Sequence, residues 1–129
     1  MGFKYLPGRP LIVVNESDSN LRDLIAQVLK DRGYKVAVGD DGPKAVQLSL
    51  SLLPDLIIMN VMMPRMHAGM VFKSLKEDPR TSSIKVIVMS NKKSVQELCP
   101  GADGFVPKPF EIKELLDLVE KLVGVPAEE

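Results

Sequence analysis

Pro54-Asp55-Leu56-Ile57-Ile58-Met59-Asn60-Val61-Met62-Met63-Pro64 is the stretch that decides the fold. Leu56 to Met59 is the most continuously apolar run in the chain, and it reads as a central strand buried on both faces, as strands of a helix-covered parallel sheet are. Working outward, other β-branched runs recur and alternate with segments of helical period. Upstream, Leu11-Ile12-Val13-Val14 is the first strand. Leu21, Leu24, Ile25, Val28 and Leu29 then fall on one helical stripe, with Ser17, Asp18 or Ser19 as N-cap and Gly33 as stop. Val36-Ala37-Val38 is the second strand, and Pro43 opens a helix that runs to about Leu52. Downstream come a helix from about Ala68 to Glu77, a fourth strand Val86-Ile87-Val88-Met89 and a fifth, Gly104-Phe105-Val106. Only Lys93 to Leu98 can be helical between the last two. The closing helix, Glu111 to Val123, puts Ile112, Leu115, Leu116, Val119 and Leu122 on one face.

These five βα units predict an α/β, doubly wound domain over residues 11–123, with an extension over 1–10 and a tail or linker over 124–129. At 129 residues the chain is long enough for one core without staples. Its single cysteine, Cys99, cannot form an internal bridge, and no Cys/His cluster suggests zinc, so a reducing, cytoplasmic setting is expected. No apolar run reaches the roughly 20 residues of a membrane span, and the first residues lack a signal peptide's apolar region. With 17 Lys+Arg against 17 Asp+Glu the chain has no electrostatic footprint for nucleic acid. At 45% hydrophobic and 26% charged it is not composed like a disordered segment.

In a doubly wound sheet the site lies at the carboxyl ends of the strands, near the topological switch point. Asn15 and Glu16 follow the first strand, Asn60 the third, Ser90 the fourth and Lys108 the fifth. One carboxylate, two amides, a hydroxyl and an ammonium therefore converge.

Over about residues 10–123 the chain resembles the receiver domain of two-component response regulators. The resemblance rests on Leu11–Glu16, Pro54–Pro64, Val86–Ser90 and Gly101-Ala102-Asp103-Gly104-Phe105-Val106-Pro107-Lys108-Pro109-Phe110. It implies a flavodoxin-like (βα)5 fold with strand order 2-1-3-4-5. It also implies a phosphoacceptor position at Asn60, an Mg²⁺-holding acidic pair at Asn15 and Glu16, phosphate-binding positions at Ser90 and Lys108, and a switch aromatic at Phe105. The Lys108-Pro109 peptide is cis in many family members. Contact surfaces of the family lie on the fourth helix, fifth strand and last helix, here including Phe105, Pro109, Phe110 and Lys113.

The departures from the family decide the functional reading. A carboxamide at Asn60 is not a carboxylate nucleophile and cannot yield an acyl phosphate. Mg²⁺ relies on carboxylates, and of the three acidic positions only Glu16 keeps a charge, which Lys108 can pair; Mg²⁺ binding is expected weak or absent, and no other cofactor or metal is expected. Ser90 to Lys108 is about four positions short of the family spacing, about one helical turn, so the fourth helix is shortened. Arg65 puts a long cation at the pocket rim where the family often has glycine. His67 has no partner for a metal site, Cys99 has no identifiable base, and the charges from Lys73 to Arg80 look like a solvated helix edge. Met59 and Met63 read as packing residues; Met62, Met66 and Met70 are read first as core, with an adaptable contact surface as the alternative. Asn60 is read first as a hydrogen-bonding strand terminus, with a relic site that still binds an anion or cation as the alternative, Lys108 first as a structural partner of Glu16, with an anion clamp as the alternative, and Ser90 either as a turn cap or as a pocket hydrogen-bonding group.

The expected function is therefore signal transduction through protein contacts, with a sensor kinase or output protein as partner, no enzymatic activity, no nucleic-acid or membrane contact, and homodimerisation left open. One alternative is a phosphoacceptor receiver with altered acidic residues, or one using Glu16 or Asp18. Another is a small-molecule-binding flavodoxin-like protein, against which stands the lack of a Gly-rich loop after the first strand.

Overall fold

The computed structural model describes residues 9–90 and 98–126. Its elements are β1 (Leu11–Asn15), α1 (Ser19–Asp31), β2 (Lys35–Gly39), α2 (Gly42–Leu52), β3 (Leu56–Asn60), α3 (Ala68–Glu77), β4 (Lys85–Ser90), β5 (Gly104–Pro107) and α4 (Ile112–Val123). The strands are all parallel and ordered β2-β1-β3-β4-β5, as expected. The short helix anticipated over 93–98 lies outside the described residues save for Leu98, as do most of the terminal extensions.

β3 sits in the middle of the sheet because its residues can be buried whichever way they point. Ile57 and Met59 join the core beneath α2 and α3, and Leu56 and Ile58 join the one beneath α1 and α4. The same alternation splits Val13 from Ile12 and Val14, and Val86 and Val88 from Ile87 and Met89. Side chains of a strand alternate faces, so an unbroken apolar run is what a sheet covered on both sides requires.

The helices start where short polar side chains can take up unpaired N–H groups. Asp18 caps α1, its Oδ1 accepting from the N–H groups of Asn20 at 2.9 Å and Leu21 at 3.3 Å. Asp41 caps α2 through Lys44 N at 2.8 Å. His67 caps α3, its Nδ1 accepting from Met70 N at 3.4 Å. Gly42 is buried in the first turn of α2, where an added Cβ would run into the Met66 carbonyl.

Several expectations are corrected. Leu24 leaves the buried stripe of α1 and is exposed, with Ala26 buried instead, because the core-facing arc is narrower than the five-residue stripe. Asn15, Asn60 and Ser90 are the last residues of their strands and do not follow them, since the ladders extend one position further than the apolar runs. Met62 and Met70 are exposed and Met66 half-buried, whereas Met59 and Met63 are buried as expected. Lys76 is no solvated edge: its Nζ donates to the carbonyls of Ile84 at 2.8 Å and Ser82 at 3.0 Å, tying α3 to the approach of β4.

Candidate functional site

β1, β3 and β5 all end at the same edge of the sheet, with β4 between the last two, and three of the predicted residues meet there. Glu16 is buried immediately beyond β1, with its backbone N–H fixed on Gly39 O at 3.0 Å. Its Oε1 accepts from Lys108 Nζ at 3.1 Å and from Asn60 Nδ2 at 2.9 Å. Its Oε2 accepts from Asp18 N at 3.0 Å. Glu16 is thus a buried carboxylate satisfied by one ammonium, one amide and one backbone N–H. Its side chain is 1% exposed and that of Lys108 23%, so the pair is desolvated mainly on the carboxylate side. A buried charge needs such partners, because leaving one unpaired costs several kcal/mol.

Asn60 is one of the ring of donors around Glu16, and both ends of its carboxamide are used. Nδ2 donates to Glu16, and Oδ1 accepts from Met62 N at 3.2 Å, which shapes the loop after β3. An aspartate there would keep the second bond and lose the first. Lys108 is positioned by its backbone, whose N–H donates to Ser90 O at 2.8 Å, with a cis peptide to Pro109 following. Ser90 is buried at the end of β4, opposite Pro107 of β5.

Asn15 is not part of this ring. Its buried side chain points the other way, with Nδ2 donating to Asp41 O at 2.9 Å and to Met63 Sδ at 2.6 Å. Among the described residues its Oδ1 has no hydrogen-bond partner, and it fills the space that a Cβ on Gly39 would need. Arg65 does not reach the ring either. It is exposed at φ 69°, a left-handed backbone that favours glycine, and its Nε lies 3.7 Å from Asp41 Oδ2.

Phe105, on β5, is half-buried against the α2–α3 side, and Phe110 against the α1–α4 side. Pro109 and Lys113 are exposed, Lys113 pairing with Asp117 at 2.8 Å one helical turn on. Asp18 is held by its capping bonds. Cys99 is fully buried, and burial pushes its thiol up to about 11, so it packs as a small protonated side chain.

Two contributors escaped the sequence. Arg22 Nη1 donates to the Glu16 carbonyl at 3.1 Å, and the Asp41 carbonyl holds Asn15. Contacts made to a backbone carbonyl leave no signature in residue type.

With that geometry in place, comparison with known proteins decides the family. The model of the response regulator receiver domain matches residues 12–120. The chain belongs to that family. The DNA-binding dual master transcriptional regulator RpaA of Synechocystis sp. is 32% identical over 118 residues, covering 88% of this chain and 49% of that protein. The response regulator MprA of Mycolicibacterium vanbaalenii is 33% identical over 122 residues, covering 92% of this chain and 51% of that protein. The receiver domain thus spans about half the length of these relatives. Among solved structures, the signal receiver domain of a signal transduction histidine kinase from Syntrophus aciditrophicus matches with TM-score 0.81 and 32% identity, covering 93% of this chain and 95% of that one. The receiver domain of sensor histidine kinase PA1611 from Pseudomonas aeruginosa PAO1, described with a magnesium ion coordinated in its active-site cleft, has TM-score 0.83. At 21% identity over 90% of this chain and 98% of that one, this second likeness speaks for the fold alone.

Proposed function

We propose that this receiver domain serves two-component signalling in the cytoplasm through protein contacts, without carrying a phosphoryl group on Asn60 and without enzymatic activity of its own. The observation behind the reading is the set of donors around Glu16, whose carboxylate already holds Lys108 and the Asn60 amide. A phosphoacceptor must offer a free carboxylate oxygen to the incoming phosphorus, and a carboxamide that donates its N–H₂ to a neighbour offers none. Neither other carboxylate is better placed: Glu16 accepts three hydrogen bonds and Asp18 caps α1.

The residues present do not fit Mg²⁺ as arranged. One carboxylate is neutralised by Lys108, one amide presents its N–H₂, and Asn15 is turned toward Asp41 and Met63. Hard divalent cations need several oxygen ligands facing one point.

The contact surface assigned to this function is β5 with the start of α4, where half-buried Phe105 and Phe110 flank exposed Pro109 and Lys113. Its partner is a sensor kinase, an output protein or a second copy of the chain; the neutral overall charge gives no reason to add nucleic acid. The direct test adds beryllofluoride or acetyl phosphate with Mg²⁺ and follows amide NMR shifts. No saturable change at Asn60, Phe105 or Lys108 is expected, and saturable shifts there would overturn the reading.

A further inference from the structure

At the opposite end of the sheet, where the strands begin, lies an open cleft of about 650 Å³. Arg9, Lys35 and Lys85 line it with Asp55, and Leu53 and Leu122 contribute apolar walls. The topology makes the juxtaposition. Lys35 opens β2 opposite Leu11, Lys85 opens β4 opposite Leu56, and Asp55 immediately precedes β3 between them. With strands about 4.8 Å apart, three steps across the sheet separate the two lysine backbones by roughly 14 Å, and their long stems can converge from either side.

Charge is concentrated here on a chain that is neutral as a whole. Among the described residues none of Arg9, Lys35 and Lys85 has an ion-pair partner. Asp55 makes no ion pair with them: its Oδ2 accepts from Leu11 N at 2.8 Å, while its backbone N–H donates to Leu11 O at 2.9 Å and its carbonyl accepts from Lys85 N at 3.2 Å. That carboxylate is held as a structural bracket between β1 and β3. Three cations against one carboxylate leave an excess of two positive charges facing a concave space. Concave walls of low polarisability focus such a field.

We propose that this cleft binds a small polyanion of the diphosphate type, at a site separate from the ring around Glu16. Its volume falls in the range of small-molecule sites, about 300–1,000 Å³, and unpaired cations spread along it suit two adjacent phosphoryl groups better than a single carboxylate. Leu53 and Leu122 give an organic portion of the ligand an apolar surface to lie on. The inference does not depend on what Asn60 does.

The test titrates the full chain with sodium pyrophosphate and, separately, with ADP, both without Mg²⁺, while amide NMR shifts are read. Saturable shifts are expected at Lys35, Asp55 and Lys85 and not at Glu16, Asn60 or Lys108. Affinity should fall several-fold as ionic strength rises from about 0.05 to about 0.15 M, and about tenfold or more in Lys35→Gln/Lys85→Gln. Asp55→Asn should act the other way, tightening binding by about two- to fivefold, because the amide oxygen keeps the Leu11 bond while the opposing charge is gone. Equal binding of both probes assigns recognition to the diphosphate; tighter ADP binding adds the apolar walls. Unsaturable shifts, shifts at the Lys108 end instead, or affinity unchanged in the double lysine variant would overturn the proposal. Both lysines are exposed, so thermal melts of that variant should match the parent and exclude misfolding as the cause of lost binding.

Discussion

Asn60→Asp is the substitution through which the ring around Glu16 can be measured. It exchanges an amide that donates to Glu16 Oε1 at 2.9 Å for a carboxylate that repels it. Two unit charges at that distance and an effective dielectric of about 20 repel by about 6 kcal/mol. Lys108, 3.1 Å from the same oxygen and partly solvated, offsets a share of this by attracting both carboxylates. A net loss of about 2–4 kcal/mol at neutral pH follows, or about 7–15 °C in melting temperature for a domain of this size. The pH dependence has a definite sign. Protonation of the introduced carboxylate removes the repulsion, so the folded variant holds more protons than the unfolded one. The gap to the parent should therefore be smallest in acid, widen as pH rises, and be full at neutral pH. Mg²⁺ should recover part of the loss, since two carboxylates now face one point. The assay is urea or thermal unfolding followed by circular dichroism across that pH range, with and without Mg²⁺. A variant melting within about 1 °C of the parent at every pH would refute the reasoning, because no desolvated carboxylate could then lie beside position 60.

Three further predictions address the frame around the site. Arg65→Gly should stabilise the chain by about 0.5–1 kcal/mol in urea unfolding, since a left-handed backbone is costly for any side chain with a Cβ. Gly42→Ala should destabilise by about 1–3 kcal/mol, because the new methyl must displace the Met66 carbonyl and with it the loop after β3. The Cys99 thiol, raised by burial to about 11, should contribute stability that is full below about pH 9 and lost as pH rises toward about 11. The alkaline fall should be shallower in Cys99→Ala, whatever that variant's stability at neutral pH, and the parent thiol should resist thiol reagents until unfolding.

The Lys108-Pro109 peptide, cis in many members of the family, is cis here, and Lys108 pairs with Glu16 as the charges left at the site suggested. The helix-covered sheet was legible because apolar runs and helical stripes are local properties: Leu56–Met59 must be buried on both faces wherever it lies, and Leu115, Leu116 and Val119 must share one; the strand order came from the family resemblance. Convergence of Glu16, Asn60 and Lys108 was legible for a related reason, since parallel strands all deliver their last residues to the same edge.

Side-chain direction was not legible. Asn15 and Glu16 are adjacent in sequence and were expected to share a pocket, yet successive side chains at a strand end point to opposite faces, which sends Asn15 to Asp41 and Met63 and leaves Glu16 with Lys108. Leu24 likewise left its stripe because the width of the buried arc depends on the neighbour a helix packs against. The basic cleft had no sequence signal at all: Arg9, Lys35 and Lys85 are isolated cations in a chain whose charges sum to zero. By itself the sequence determined the layers and the chemical groups available at the carboxyl edge, and its resemblance to a known family supplied the strand order. Only the tertiary structure decided which of those groups meet and which cations stand together, because hydrogen bonds and fields depend on distances of a few ångströms between residues far apart in the chain.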